Sequence, residues 1–199
     1  MCPGTLMPAE FPSPLVVTLP DWLSQVVAPG DVLSTDQERM ALAIELSRQQ
    51  LKHNTGGPFG AIVCQLDTGK VVGVGVNRVV PQHASIAHAE VLAWSGAQAF
   101  FNTFNLGDPA IAPLGLYSSA QPCIACWGGL FWTGITKLVC GATKGDVEKL
   151  AGFNEGPVPA DWDQILRRAG VEVLTQVNRS AACEVLKAYG ERGVIYNPG

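Results

Sequence analysis

The stretch FGAIVCQLDTGKVVGVGV, Phe59 to Val76, decides how this chain folds. Phe59 to Leu66 is an apolar run rich in residues that favour strands. Asp67-Thr68-Gly69-Lys70 has the composition of a turn, and Val71 to Val76 reads as the returning strand of a hairpin. Upstream, Thr35-x-x-Glu38 has the form of a capping box, and Met40, Ala43, Ile44 and Leu51 recur at helical spacing. Gly56-Gly57-Pro58 closes that helix.

Downstream, Ala89 to about Phe100 is Ala-rich and helical, and Leu114 to Ser118 is a short strand. Pro122 stands at the entrance of a second helix, where its missing N–H is no loss. Ile135 to Ala142 is strand-like, Asp161 to Arg168 helical, Val171 to Val177 strand-like and Ser180 to Tyr189 helical. Strands and helices in this alternation predict an α/β fold: a three-layer α/β/α sandwich around a central mixed sheet of five strands. Residues 1–34 form a Pro-rich extension, interrupted by Pro3, Pro8, Pro12, Pro14, Pro20 and Pro29, and residues 35–199 form one domain.

The composition narrows the class of partner. The chain has 199 residues, 47% hydrophobic and 15% charged, which suits an ordered globule with a sizeable core. A net charge of -4 with no Lys/Arg run argues against nucleic acid and favours a small molecule. No apolar run reaches the roughly 18 residues of a membrane span, and the N-terminus is a poor signal peptide. A cytoplasmic location is therefore expected. Of six cysteines, Cys64, Cys140 and Cys183 fall in apolar runs and read as buried free thiols.

The chemistry is carried by His88-Ala89-Glu90 and Pro122-Cys123-Ile124-Ala125-Cys126. One imidazole and two thiolates suit zinc. Three protein ligands leave one position for water, as in a catalytic rather than a structural site. Zinc lowers the pKa of such a water from about 15.7 to about 7, and Glu90 lies close enough in sequence to exchange its proton. Two helices with their first turns aimed at one point would gather His88, Cys123 and Cys126, because the positive helix end favours thiolate. Residues two apart diverge by about 200° around a helix. His88 and Glu90 therefore converge only if at least one of them lies outside helical geometry. A dithiol redox pair at Cys123 and Cys126 would need no upstream His-x-Glu. A closed structural site would recruit a fourth ligand such as His83 and leave Glu90 without a task.

These motifs resemble the cytidine-deaminase-like superfamily, and within it the small bacterial guanine deaminases. The likeness runs through Gly57-Pro58-Phe59-Gly60-Ala61, Asn77-Arg78-Val79, His88-Ala89-Glu90 and Ser119-Ala120-Gln121-Pro122-Cys123. It continues into Gly152-Phe153-Asn154-Glu155-Gly156-Pro157 and Gly193-Val194-Ile195-Tyr196-Asn197. The resemblance implies one Zn2+ per chain on His88, Cys123 and Cys126, with Glu90 as proton shuttle and Glu155 as a second carboxylate reading the ring edge. It implies that Asn77 hydrogen-bonds a flat heterocyclic base, that Phe59 supplies an aromatic wall, and that Trp132 and Tyr196 lie near the pocket. Each has an ordinary alternative: a turn for Asn77, core packing for Phe59 and Trp132, a solvated loop carboxylate for Glu155. Gln121 departs from the Glu that many relatives carry before Pro-Cys.

The implied activity is hydrolytic deamination of a purine-like base, with guanine going to xanthine and ammonia, by a homodimer. Alternatives are an aminotriazine such as ammeline, a nucleoside or cytosine as substrate. Editing of tRNA adenosine conflicts with the acidic balance, and a zinc-stabilised, non-catalytic interaction module is the reading from another class.

Overall fold

The computed structural model describes residues 15–111, 113–192, 195 and 197. The capping box forms as its sequence requires. The Thr35 hydroxyl accepts from the Glu38 amide at 3.1 Å, and the Glu38 carboxylate accepts from the Thr35 amide at 2.9 Å. Helix α1 (Asp36–His53) follows, burying Met40, Ala43, Ile44 and Leu51, and it ends on Asn54 in the left-handed region at φ 52°.

The hairpin comes next, β1 (Gly60–Gln65) pairing antiparallel with β2 (Val71–Val76). A short helix α2 (Val79–Gln82) leads to α3 (Ala89–Phe101), then β3 (Leu114–Ala120), α4 (Ile124–Leu130) and β4 (Lys137–Ala142). The chain closes with α5 (Lys144–Ala151), α6 (Trp162–Arg168), β5 (Glu172–Leu174) and α7 (Arg179–Gly190). The sheet order is β2-β1-β3-β4-β5, with β1 antiparallel to β2 and β3, and β3, β4 and β5 mutually parallel. The expected mixed five-stranded sheet is therefore present.

Its strands alternate between two cores. Ile62, Cys64, Tyr117 and Val139 pack with buried residues of α1, α5 and α7. Ala61, Val63, Leu116, Leu138 and Cys140 pack with α3, α4 and α6 on the opposite face. Side chains two apart share a face of a strand, so strands apolar at every position serve both layers. Each buried Leu, Ile or Val contributes about 1.5–3 kcal/mol. Cys64 and Cys140 are buried as free thiols, and desolvation pushes the Cys64 thiol up to about 12.

Helix α3 lies unusually close to β2. A Cβ at Gly75 would stand 1.9 Å from the Ala89 carbonyl oxygen, and one at Gly73 would stand 2.2 Å from that of Ala93. Only glycine at these two positions lets the helix settle there, and this sets where residues 88 to 90 lie.

Helix α5 was not expected from periodicity, although Thr143 and Asp146 form a second capping box at its start. Gly145 and the short length weaken its apolar pattern. The final strand covers three residues rather than the seven of Val171 to Val177: the ladder with β4 runs over Glu172–Leu174, and past it the Val177 amide bonds the Cys140 carbonyl at 3.0 Å outside the strand. Within the N-terminal extension, Met1 to Pro14 lie outside the described residues. A 3-10 turn at Asp21–Gln25 places Trp22 in the core together with Val27. Val32 bridges Lys70, and the Leu33 amide donates to Gly69 at 2.9 Å. Among the described residues no helix is long and apolar enough to cross a membrane.

A polar clamp ties the start of α1 to the sheet. The Tyr117 hydroxyl donates to Asp36 at 2.7 Å, Lys137 donates to Asp36 at 2.8 Å, and Arg39 donates to Tyr117 at 2.8 Å. Burial alone would raise the Asp36 carboxyl, but bonds from Lys137 and Tyr117 outweigh it and hold the group below the usual carboxylate range. Its contribution is present above about pH 4 and is lost as pH falls through the depressed value. Asp36→Asn is expected to lower stability at pH 7 by about 1–3 kcal/mol, with the gap narrowing below about pH 4. Urea unfolding of both proteins across that range checks it.

Candidate active site

His88 and Cys123 hold equivalent places, each the residue immediately before a helix. His88 caps α3 with φ -76° and ψ 155°, and Cys123 caps α4 with φ -65° and ψ 173°, both extended. The geometric condition on His88 and Glu90 is met in this way: the histidine stands off the helix end while Glu90 sits in the first turn. Helix α4 carries Cys126 back over Cys123, and the Trp127 amide closes the turn onto the Cys123 carbonyl at 2.8 Å.

The donor atoms of His88, Cys123 and Cys126 lie within 4.8 Å of one another. Cys123 Sγ is 3.5 Å from His88 Nδ1. With Zn–S near 2.3 Å and Zn–N near 2.0–2.1 Å, the edge of a tetrahedron between such donors is about 3.6 Å. The donor set therefore fits zinc in both chemistry and spacing. A contact from Cys126 leads in drawing the Cys123 thiol down to about 4; burial opposes it, and His88 adds to the lowering. At Cys123 the polypeptide thus favours thiolate, the form that binds metal, while the contact with Cys123 and burial raise the Cys126 thiol. His83 is not part of the cluster.

Glu90 is 7% exposed, and burial first, then the negative charge of Cys123, raises its carboxyl above the usual range. It opens, with His88 and Cys123, into a cavity of about 350 Å³. Asn77, Phe59 and Glu155 line the same cavity. Asn77 sits just after β2, its amide donating to the Phe59 carbonyl at 3.1 Å and its Oδ1 accepting from the Val79 amide at 3.3 Å. Glu155 is 7% exposed in the loop after α5. Desolvation pushes its carboxyl up to about 8, with the charges of Cys123 and Glu90 adding to the rise. The loop is fastened to the cluster itself: the Ile124 amide, an orphan donor at the start of α4, bonds the Glu155 carbonyl at 3.0 Å.

Trp132 does not join this group. It is 85% exposed and absent from the cavity wall, because it follows the far end of α4 from Cys123. Nine residues of mostly helical chain separate the two, a span of about 13 Å. Tyr196 lies outside the described residues, although Asn197 beside it accepts from the Asn154 amide at 2.8 Å and donates to Gly152 at 2.9 Å.

The aromatic wall is larger than Phe59 alone. Phe59 meets Phe153 edge to face at 5.2 Å, and Phe153 stacks on Tyr189 at 5.6 Å. Phe153 belongs to the quoted Gly152–Pro157 segment and could have been singled out there; Tyr189 on α7 offers no local signal. Gln121 also lines the cavity, and its Oε1 accepts from the Lys144 amide at 3.1 Å. The amide thus caps the start of α5, a task a carboxylate at this position would perform equally well.

Residues 33–142 match the family described as the cytidine and deoxycytidylate deaminase zinc-binding region. A solved guanine deaminase from Nitrosomonas europaea is 39% identical with a TM-score of 0.86, covering 92% of this chain and 99% of that one. A solved structure in complex with 2,6-diaminopurine is 42% identical with a TM-score of 0.86, covering 92% and 96%. The guanine deaminase of Bacillus subtilis is 29% identical over 122 residues, 61% of this chain and 73% of that protein.

Replacement of Cys126 by Ser is expected to reduce bound zinc from about one ion per chain to a small fraction, since three donors are the minimum for such a site. Chelation of the parent protein should lower its melting temperature, and added zinc should restore it. Metal analysis alongside thermal unfolding reads both.

Proposed function

We propose that guanine is the substrate, on the premise that this chain belongs to the cytidine and deoxycytidylate deaminase family defined by its zinc-binding region. The observation that carries the reading is the placement of buried Glu90 beside the His88, Cys123 and Cys126 donors on the wall of an aromatic-lined cavity. Likeness to the guanine deaminases of Nitrosomonas europaea and Bacillus subtilis selects guanine among the bases.

Zinc held by His88, Cys123 and Cys126, one ion per chain, would supply an activated water at neutral pH. The purine ring lies against the aromatic wall of Phe59 and Phe153, which pack on each other, and Asn77 hydrogen-bonds its edge. Glu90 accepts the water's proton as oxygen bonds to the carbon bearing the exocyclic amine. It passes that proton to the adjacent ring nitrogen, then takes the proton of the newly formed hydroxyl and delivers it to the amine, whose carbon–nitrogen bond breaks to release ammonia as the carbonyl forms. Water and guanine are consumed, and xanthine and ammonia form. Burial makes the Glu90 carboxyl a better proton acceptor than an exposed one. Glu155, its carboxyl raised by burial, faces the same cavity and reads the ring edge.

Subunit pairing belongs to the same reading. Phe104 and Trp132 are 83% and 85% exposed, apolar surface of the kind a second copy covers. A cytoplasmic setting is part of it as well.

The test is an ammonia-release screen on guanine, guanosine, ammeline, adenine, cytosine and cytidine. Turnover of guanine is the expected result; turnover of cytidine alone overturns the substrate. In Glu90→Ala, zinc content should persist while kcat falls at least about a hundredfold. Retained turnover would remove Glu90 from the proton path.

A further inference from the structure

One set of polar contacts near the cavity has no part in the chemistry above. Gln50, on the last turns of α1, is fully buried, and its Nε2 donates to the backbone carbonyl of Asn77. Its Oε1 accepts from the Thr55 hydroxyl, and the Thr55 oxygen accepts from Trp22 Nε1 at 3.0 Å. Trp22 belongs to the N-terminal extension and stacks on His53 with ring centroids 5.7 Å apart. Every donor and acceptor in the relay points the same way, from the indole through a hydroxyl and an amide to the carbonyl of Asn77. Such aligned bonds polarise one another.

A second tie runs parallel to the first. Arg78, 9% exposed, donates through Nη1 to the Thr55 carbonyl and through Nε to the Thr18 carbonyl at 3.0 Å. The loop between α1 and β1 must approach Asn77 very closely for both ties to close. A Cβ at Gly56 would stand 2.0 Å from the Asn77 carbonyl oxygen and 2.6 Å from Gln50 Nε2. Glycine is required there for contact and for its φ of 157°.

We propose that the N-terminal extension is part of the substrate-orienting machinery: Trp22, Thr55 and Gln50 are positioning residues that hold Asn77 against the base. The proposal rests on the reading that Asn77 contacts substrate. Asn77 is fixed at its amide by Phe59, at its carbonyl by Gln50 and at its side chain by the Val79 amide. Among the described residues, its carbonyl is therefore the anchor that reaches outside the hairpin and its adjoining turn. Loss of the relay frees that end of β2 to rotate, and the Asn77 side chain then spends less time in the geometry the base requires.

Thr55 separates a positioning role from a merely structural one, because it lies outside the cavity wall. Thr55→Val keeps shape and removes the hydroxyl; Thr55→Ser keeps the hydroxyl. For guanine, Thr55→Val is expected to raise KM about tenfold, the equivalent of one hydrogen bond, with kcat within about threefold. Thr55→Ser should stay near the parent values. Amide exchange at residues 77–80 should accelerate severalfold in the valine variant only, a readout that needs no substrate. Trp22→Phe, which keeps the stack on His53, should move KM in the same direction by a smaller factor. A lowered melting temperature with KM and exchange unchanged in Thr55→Val overturns the proposal, as does a serine variant that behaves like the valine one. If Asn77→Ala leaves KM unchanged, the Asn77 contact falls and the relay with it. If Asn77→Ala raises KM while Thr55→Val does not, only the relay falls.

Discussion

Two helix N-termini converge on one point, and the rest of the molecule serves that convergence. His88 and Cys123 each occupy the extended residue before a helix, where the side chain leaves the helix axis and the positive end of the helix dipole favours negative charge. The 3.5 Å between His88 Nδ1 and Cys123 Sγ follows from how α3 and α4 are seated on the sheet. Gly73 and Gly75 bring α3 down onto β2, and Leu130 together with Cys126 anchors α4 in the same core. A shift of either helix by an ångström would break the donor spacing. The apolar sandwich thus supplies rigidity at the place where the polar chemistry needs it.

Much of this was readable in the residues themselves, and the reasons are local. Capping at Thr35, the hairpin turn at Asp67–Lys70 and the proline before Cys123 are all decided by neighbours within four positions. The His-x-Glu and Cys-x-x-Cys spacing is local as well, so the ligand cluster was legible before any coordinate. What escaped depends on contacts between distant segments. Tyr189, on α7, lines the cavity and stacks on Phe153, and Trp132 is aromatic and near Cys126 in sequence yet faces solvent. Helix α5 is short and interrupted by Gly145, so its pattern is weak, although its capping residues were in plain view.

The loop after α5 shows how the fold couples recognition to the metal ligands. The Glu155 carbonyl satisfies the first amide of α4, and Lys144 bonds the Gly156 carbonyl while its own amide binds Gln121. Three segments far apart in sequence are joined around the residue that precedes Pro122. A carboxyl buried in such a loop carries a raised pKa because desolvation disfavours its charge. Burial raises the Glu90 carboxyl as well. Two carboxyls in one cavity that both resist ionisation suit a reaction in which protons must be taken up and handed on.

The account depends on a metal held by three protein atoms with its remaining position open to water. X-ray absorption at the zinc edge of the loaded protein reads this directly. Two sulfur neighbours near 2.3 Å with one nitrogen and one oxygen near 2.0 Å are the expected shell. A shell filled by four protein donors, whether a third sulfur or a second imidazole, would contradict it.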